Sequence, residues 1–205
     1  MTRNTRARAL TRRAAAVAVT VTAAFALAAC GGEGDGGSAA GDNASASATA
    51  DAHNAQDVTF AQGMIPHHRQ ALEMAALAAD RASSAQVKDL AGRIEKAQDP
   101  EIQTMTGWLT AWGEDAPAAG GHSGHSGGMA GMMNAEDMAK LEKTSGGDFD
   151  SMFLTMMIEH HEGAVEMAEA EQAKGAYGPA MAMAGDIVAA QTAEIEEMKK
   201  LLAQK

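Results

Sequence analysis

Cysteine and aromatic residues are scarce in this 205-residue chain. Cys30 is the only cysteine, so no disulfide can form within the chain, and haem attachment through a C-x-x-C-H motif is excluded. The chain has two tryptophans, one tyrosine and four phenylalanines. A hydrophobic core must therefore be built from alanine, leucine, isoleucine, valine and the 15 methionines.

Long hydrophobic runs are also missing. Residues 1–29 carry five arginines, no acidic residue, and an Ala/Val/Leu run shorter than the ~20 residues that a transmembrane helix needs. This pattern predicts a signal peptide for export. Leu27 to Cys30 resembles the lipobox of bacterial lipoproteins, so we expect Cys30 to be lipidated and residues 30–52 to form a flexible tether. The alternative is a plain secretory signal with an incidental cysteine.

Basic residues are few once this segment is set aside. The rest of the chain holds 11 lysines and arginines against 27 aspartates and glutamates. Such a surplus of acid argues against nucleic acid and anionic membrane surfaces as partners. It suits an exported domain that attracts cations, either anchored by the lipid to the outer face of the cytoplasmic membrane or otherwise extracytoplasmic.

One twelve-residue stretch occurs twice. Met64–Ala75 and Met157–Ala168 both read M-I-x-H-H-x-x-A-[LV]-E-M-A, and they lie 93 positions apart. The same offset relates Gln98 to Gln191 and Glu101 to Glu194 downstream. A constant offset over about 50 residues indicates an internal duplication.

The spacing of apolar residues predicts an all-α domain over residues 53–205. Four long helices are expected at about 55–80, 84–113, 148–174 and 179–203, with a short one at about 135–144 capped by Asn134. Ser83 to Gln86 resembles a capping box for the second helix. The duplicated halves are then helical hairpins at about 55–114 and 147–204, which pack into a four-helix bundle. The glycine-rich linker, residues 115–133, has a composition that does not pack a core.

The repeated motif places thioether and imidazole side chains on one helical face. Soft ligands of this kind select Cu(I), while imidazole also accepts Cu(II) and Zn(II). The alternative is ordinary methionine packing around hydrogen-bonded histidines. The spacing leaves open which histidine of each pair coordinates. The candidate metal ligands are Met64, His67, His68, Met74, Met156, Met157, His160, His161 and Met167.

Acidic and amide side chains accompany the motif. Glu73 and Glu166 fall about 180° from Met64 and Met157 on a helical wheel, so we expect them to face away from the site. A second group lies on the inner faces of the other two long helices and can hydrogen-bond the histidines, ligate a metal, or form interhelical contacts. Its members are Gln98, Glu101, Gln191 and Glu194.

The linker is a second candidate metal site. It brings two histidines and three methionines close together in sequence, and the alternative is a low-complexity spacer. These residues are His122, His125, Met129, Met132 and Met133.

The double M-I-x-H-H motif resembles the CopM-like family, known as domain of unknown function 305, over about residues 55–204. The resemblance implies an exported bacterial protein with a ferritin-like four-helix fold that binds copper through methionine and histidine. The expected role is copper buffering, sequestration or resistance without catalysis, with Cu(I) favoured over Cu(II) and a copper-delivery protein as a possible partner. By this resemblance the ligands map onto Met64, His67, His68, Met74, Met157, His160, His161 and Met167.

Two other functions stay open. A ferritin-like di-iron or di-manganese oxidase normally carries Glu-x-x-His on two helices, and this sequence contains no such motif. The second is a helical bundle that binds another envelope protein, with the histidine and methionine faces serving as packing.

Overall fold

The computed structural model describes residues 52–118 and 129–204. Within these ranges the chain is all-helical, and the β-structure there is limited to an isolated parallel bridge between Ala82 and Gly146. The predicted all-α class is confirmed. None of the described helices is long and apolar enough to cross a membrane. The helices are α1 (Ala55–Arg81), α2 (Ala85–Trp112), α3 (Ala135–Lys143), α4 (Gly146–Lys174) and α5 (Gly178–Ala203).

Local capping explains why the helices begin close to the predicted positions. Asn54 caps α1: its side-chain oxygen accepts from the backbone N–H of Asp57, and the Asp57 carboxylate accepts from the N–H of Asn54 at 2.6 Å. This reciprocal pair satisfies donors that a helix start leaves free. Asn134 caps α3 as predicted, and Pro179 lies in the first turn of α5, where a missing N–H is tolerated.

The cap of α2 corrects the sequence prediction by one residue. Ser84, not Ser83, is the N-cap, and its hydroxyl accepts from the N–H of Val87. Ser83 is engaged elsewhere, because its N–H and hydroxyl both donate to the Asp150 carboxylate, at 3.0 and 2.6 Å. A tertiary contact has therefore displaced the local capping pattern.

The long helices pack in two sequential pairs. Helix α1 packs along α2, α4 packs along α5, and the pairs meet mainly through α1 and α4, with α3 touching both of these. Helix α1 continues through Pro66 without a break. The α1–α4 interface therefore brings the two copies of the motif together.

Two apolar clusters form the core, one on each side of the histidines. On α1 the first cluster begins at Ala71, and the second ends at Ile65. His67 and His68 lie between these two residues in the chain, and the corresponding segment of α4 holds His160 and His161. The four histidines therefore make a polar layer between the two apolar clusters.

Two buried aspartates connect the halves of the duplication. Asp57 accepts from the N–H groups of Ala176 and Tyr177 in the α4–α5 turn, and Asp150 accepts from those of Ser83 and Ser84 in the α1–α2 turn. Each of these pairs is related by the 93-residue offset. Burial alone would raise the pKa of Asp57, but interactions with Glu171 and with these backbone groups lower it below its ordinary value. Each half thus stabilises the interhelical turn of the other.

The end of the linker corrects a further prediction. Met133 is buried in the first cluster, so the last residue of the linker does pack in the core despite the composition of this segment. The start of the linker is also held, since Gln62 donates to the carbonyl of Asp115 and Arg69 to that of Pro117. The predicted lipidation site Cys30, the predicted tether up to residue 51, and the linker histidines His122 and His125 lie outside the described residues.

Candidate metal centre

The four histidines of the repeated motif are completely buried at the α1–α4 interface. Adjacent residues of a helix point about 100° apart, so neighbouring histidines face different neighbours. His67 and His160 meet each other across the interface, whereas His68 faces α2 and His161 faces α5. We call His67 and His160 the inner pair, and His68 and His161 the outer pair.

The rings of the inner pair are in contact. Their centroids lie 3.8 Å apart with an angle of 40° between the ring planes. The Nε2 atom of His67 lies 3.2 Å from the carbonyl oxygen of Ala130, at the end of the linker. Neither ring nitrogen of His160 has a hydrogen-bond partner. His67 of the inner pair therefore has a direct hydrogen-bond partner, and His160 does not.

Each histidine of the outer pair is backed by a carboxylate. The Nε2 atom of His68 lies 2.6 Å from a Glu101 oxygen, and that of His161 lies 2.8 Å from a Glu194 oxygen. The carboxylates reach solvent slightly, with 24% and 15% of their side-chain surface exposed. When the carboxylate accepts, Nε2 carries the proton, and in the neutral ring the Nδ1 atom presents a lone pair. This carboxylate–histidine arrangement orients metal-binding histidines in many proteins.

Burial keeps the inner pair uncharged. It lowers the pKa of His67 to about 3, an effect increased by the neighbouring His68 and opposed by the Ala130 carbonyl. The pKa of His160 is also well below its ordinary value, because of burial and then because of His67 and His161, while the His67 backbone opposes the shift slightly. Both rings are neutral at physiological pH, so protons do not compete for their lone pairs.

The histidine layer contains several polar atoms without partners. Leaving such an atom unsatisfied inside a protein costs about 1–3 kcal/mol, and native structures hold few of them. A set of unpaired imidazole nitrogens matches the donor set that Cu(I), Cu(II) and Zn(II) accept, so the residues present fit a metal of this type. The unpaired atoms are Nδ1 of His67, His68, His160 and His161, Nε2 of His160, and the side-chain oxygens of Gln98 and Gln191.

The predicted amide and carboxylate residues separate into three groups. Glu101 and Glu194 contact the outer pair, whereas Gln98 and Gln191 are buried without a hydrogen bond to their side-chain oxygens. Glu73 and Glu166 are exposed, as the helical wheel predicted.

The methionines are distributed unevenly around this layer. Met64, Met74 and Met157 are fully buried in the two apolar clusters. Met156 is buried in the first cluster as well, and it also lines an open surface pocket with Met152 and Thr144, in which no histidine takes part. Met132, from the linker, is half-buried.

One methionine of the predicted linker site lies close to a predicted ligand of the first site. The sulfur atoms of Met167 on α4 and Met129 in the linker lie 3.6 and 3.9 Å from the point that a Cβ atom on Gly63 would occupy. Gly63 lies one turn before His67 on α1. Met129, which sequence reasoning assigned to a separate linker site, is therefore a neighbour of the first site.

Carboxylate and imidazole ligands alone do not form a complete metal-binding site in this arrangement. In the part of the chain that the structure describes, no group of three or more histidine, cysteine, aspartate or glutamate residues is arranged to hold a metal ion. The two rings of the inner pair contact each other at a centroid separation of 3.8 Å, which leaves no room for an ion between them. An ion bound to the inner pair would require rotation of a ring or the addition of thioether ligands.

Sequence reasoning missed Ala130 and Gly163. Ala130 acts through its carbonyl oxygen, and Gly163 matters because it has no side chain beside the linker. Neither contribution depends on a residue type associated with metal binding, so no sequence signal pointed to them.

Comparison with known proteins supports the resemblance seen in the sequence. The sequence profile of the family described as domain of unknown function DUF305 matches residues 57–202. A DUF305 protein from Streptomyces coelicolor is 33% identical with a TM-score of 0.66, over 76% of this chain and 94% of that one. A DUF305 fragment from Deinococcus radiodurans is 31% identical with a TM-score of 0.64, over 74% and 98%.

A third similar structure is CopM in a Cu(II)-bound form, which is 33% identical with a TM-score of 0.63, over 72% of this chain and 96% of that one. CopM has also been solved in Cu(I)-bound, silver-bound and apo forms. Comparison with curated proteins gave no match. The family profile covers most of the described helices, and the histidine layer lies within it: this chain belongs to the DUF305 family.

Proposed function

We propose that this protein is a lipid-anchored, extracytoplasmic copper-binding protein that buffers or sequesters copper through histidine and methionine. One observation carries the proposal: four neutral or carboxylate-backed imidazoles are buried together, and five of their nitrogens have no partner. The Cu(I)-, Cu(II)- and silver-bound forms of CopM, a relative about 30% identical, support copper as the ion.

The histidine ligands divide into two roles in this proposal. His67 and His160 offer lone pairs at the α1–α4 interface, and His68 and His161 offer Nδ1 atoms oriented by Glu101 and Glu194. Gln98 and Gln191 supply the unpaired oxygens that could hydrogen-bond a rotated ring.

The methionine ligands decide the expected oxidation state. Met64 and Met157 supply thioethers within the core, and Met74, Met156 and Met167 are the further candidates. Thioethers are soft ligands and favour Cu(I) over Cu(II). We therefore expect Cu(I) to bind more tightly.

The proposal extends to the architecture and location of the chain. We infer that the four long helices form a ferritin-like four-helix bundle of two duplicated hairpins, because α1–α2 and α4–α5 pack as pairs and the pairs join through α1 and α4. The basic and apolar segment 1–29 supports export, and Leu27 to Cys30 supports a lipid anchor. A protein held in this way would exchange copper with a soluble delivery partner.

Metal titration tests the proposal. The chain from residue 30, with Cys30→Ser to prevent thiol binding, is titrated with Cu(I), Cu(II), Zn(II) and Fe(II) under matched conditions. We expect tight Cu(I) binding that is largely lost when His67→Ala and His160→Ala are combined. His53→Ala is the matched control, because His53 stacks on Trp112 at 4.4 Å outside the buried layer and its loss should leave binding unchanged.

The same titration separates the other two functions. Tight Fe(II) binding with oxygen consumption would replace copper binding with an oxidase. Binding of none of the four ions would leave an envelope interaction protein. Copper binding that survives the double substitution would place the ligands outside the inner pair.

A further inference from the structure

The end of the linker forms a wedge between α1 and α4. We use the name wedge for residues 129–133. Gln70 on α1 holds the wedge with two hydrogen bonds: its side-chain nitrogen donates to the Met133 carbonyl at 2.8 Å, and its side-chain oxygen accepts from the Met133 N–H at 2.7 Å. His67 lies one turn before Gln70 on α1, and there the Ala130 carbonyl lies against the Nε2 atom of His67.

The opposite side of the wedge rests on α4, where a side chain would not fit. A Cβ atom on Gly163 would collide with the Ala130 carbonyl oxygen and would lie 2.8 Å from the Gly131 Cα. Gly131 has a φ of +76°, in the left-handed region that favours glycine, and a Cβ there would lie 2.9 Å from the His160 carbonyl oxygen. Both glycines are therefore needed for this close approach.

The two copies of the repeat differ at this point. Gly163 occupies the position that Gln70 occupies in the first copy, 93 residues earlier. The first copy thus supplies the side chain that hydrogen-bonds the wedge, and the second copy supplies the space in which the wedge packs. The difference makes the inner pair asymmetric, because His67 gains a hydrogen-bond partner that His160 lacks.

The Ala130 carbonyl determines which nitrogen of His67 is available. A carbonyl oxygen only accepts hydrogen bonds, and a neutral imidazole has a single N–H. The proton of His67 is therefore held on Nε2, and the lone pair is on Nδ1, which has no partner.

We propose that the wedge is a positioning element for the inner pair: it fixes His67 in the Nε2–H tautomer and limits how fast an ion exchanges at this ring. The tautomer assignment stands on the hydrogen bond between His67 and the Ala130 carbonyl and on the glycine contacts that hold this carbonyl in place. The exchange role rests on the proposed copper function. Displacing the wedge should release the ring and open one side of the α1–α4 interface.

The test uses the chain from residue 30 with Cys30→Ser and ¹⁵N-labelled histidine. Long-range ¹H–¹⁵N spectra of the metal-free protein distinguish the two tautomers through the shifts of Nδ1 and Nε2. We expect a single Nε2–H form for His67, and a mixture of tautomers in Gln70→Ala and in Gly163→Ala. Gly92→Ala is the control, because a Cβ atom on Gly92 meets nothing within 4 Å.

Copper release gives the second readout. Transfer of Cu(I) to a competing chelator should be at least about ten times faster in both wedge variants than in the parent and in Gly92→Ala. If Gly163→Ala does not fold, Gln70→Ala still tests the proposal. Gln70 is only half-buried, so its replacement by alanine should leave the fold intact. An unchanged His67 tautomer in a folded Gln70→Ala protein would overturn the positioning role, and this result does not depend on whether copper binds. A tautomer change with unaltered copper release would overturn the exchange role.

Discussion

Replacing His160 by phenylalanine should stabilise the metal-free protein. Both ring nitrogens of His160 are buried without a partner, and each unsatisfied atom costs about 1–3 kcal/mol. Phenylalanine keeps a flat ring and removes both polar atoms. Its slightly larger volume costs part of this gain, because overpacking a core destabilises by about 1–3 kcal/mol. We expect a net stabilisation of about 2 kcal/mol, or roughly 4–8 °C in Tm for a domain of this size.

Urea unfolding with a chelator present measures this effect directly. Most core substitutions destabilise a protein, so a gain in stability would identify His160 as a residue kept for function rather than for folding. The parent protein should also gain stability on adding Cu(I), by about 2.7 kcal/mol at a free concentration 100 times its Kd, and His160→Phe should lose most of this gain. A metal-free His160→Phe protein that is less stable than the parent by 1 kcal/mol or more would refute the reasoning.

Three further variants, which carry four substitutions in all, probe the carboxylates of the structure. Glu101→Gln with Glu194→Gln should weaken Cu(I) binding about 10–100-fold in a competition titration, because the outer pair loses its orienting carboxylates; unchanged affinity would remove these residues from the site. Burial, together with Asp57, raises the pKa of Glu171 to about 8 from an ordinary value of 4.5, so the folded state keeps a proton that the unfolded state releases. The free energy of unfolding should therefore fall between pH 4.5 and 8, by at most about 1.4 kcal/mol per pH unit. The urea midpoint of Glu171→Gln should fall less than that of the parent over this range, and an equal fall in both proteins would contradict the assignment. Asp150→Ala should destabilise the fold by about 3 kcal/mol in urea unfolding, because three hydrogen bonds from Ser83 and Ser84 are lost, and an effect below 1 kcal/mol would show that the α1–α2 turn does not need this carboxylate.

The helical period and the repeat were sufficient to predict much of the fold. A period of 3.6 residues placed His67, His68 and Met74 on one face of the helix and Glu73 on the opposite face. In the structure the first three residues are buried and Glu73 is exposed. The constant offset predicted that Glu101 and Glu194 would occupy equivalent places, and each contacts the equivalent histidine.

Other features depend on contacts between distant segments, which local patterns do not report. The N-cap of α2 moved to Ser84 because Asp150 binds Ser83 from another helix. Met133 is buried in the core and its backbone pairs with Gln70, although the composition of the linker predicted that this segment does not pack a core.

The repeat itself was a poor guide where its copies differ. Glu171, a buried acid, corresponds to Ala78 in the first copy, so the duplication gave no sign of it. A hydrogen bond from a backbone carbonyl, such as that of Ala130 with His67, leaves no trace in residue type.

Anomalous diffraction at the copper edge, from crystals of the chain loaded with Cu(I), tests the central claim most directly. We predict a strong copper peak within bonding distance of an unpaired nitrogen of His67 or His160, with at least one methionine sulfur as a further ligand. A copper peak confined to surface residues, with both inner rings unchanged and without metal, would contradict the account.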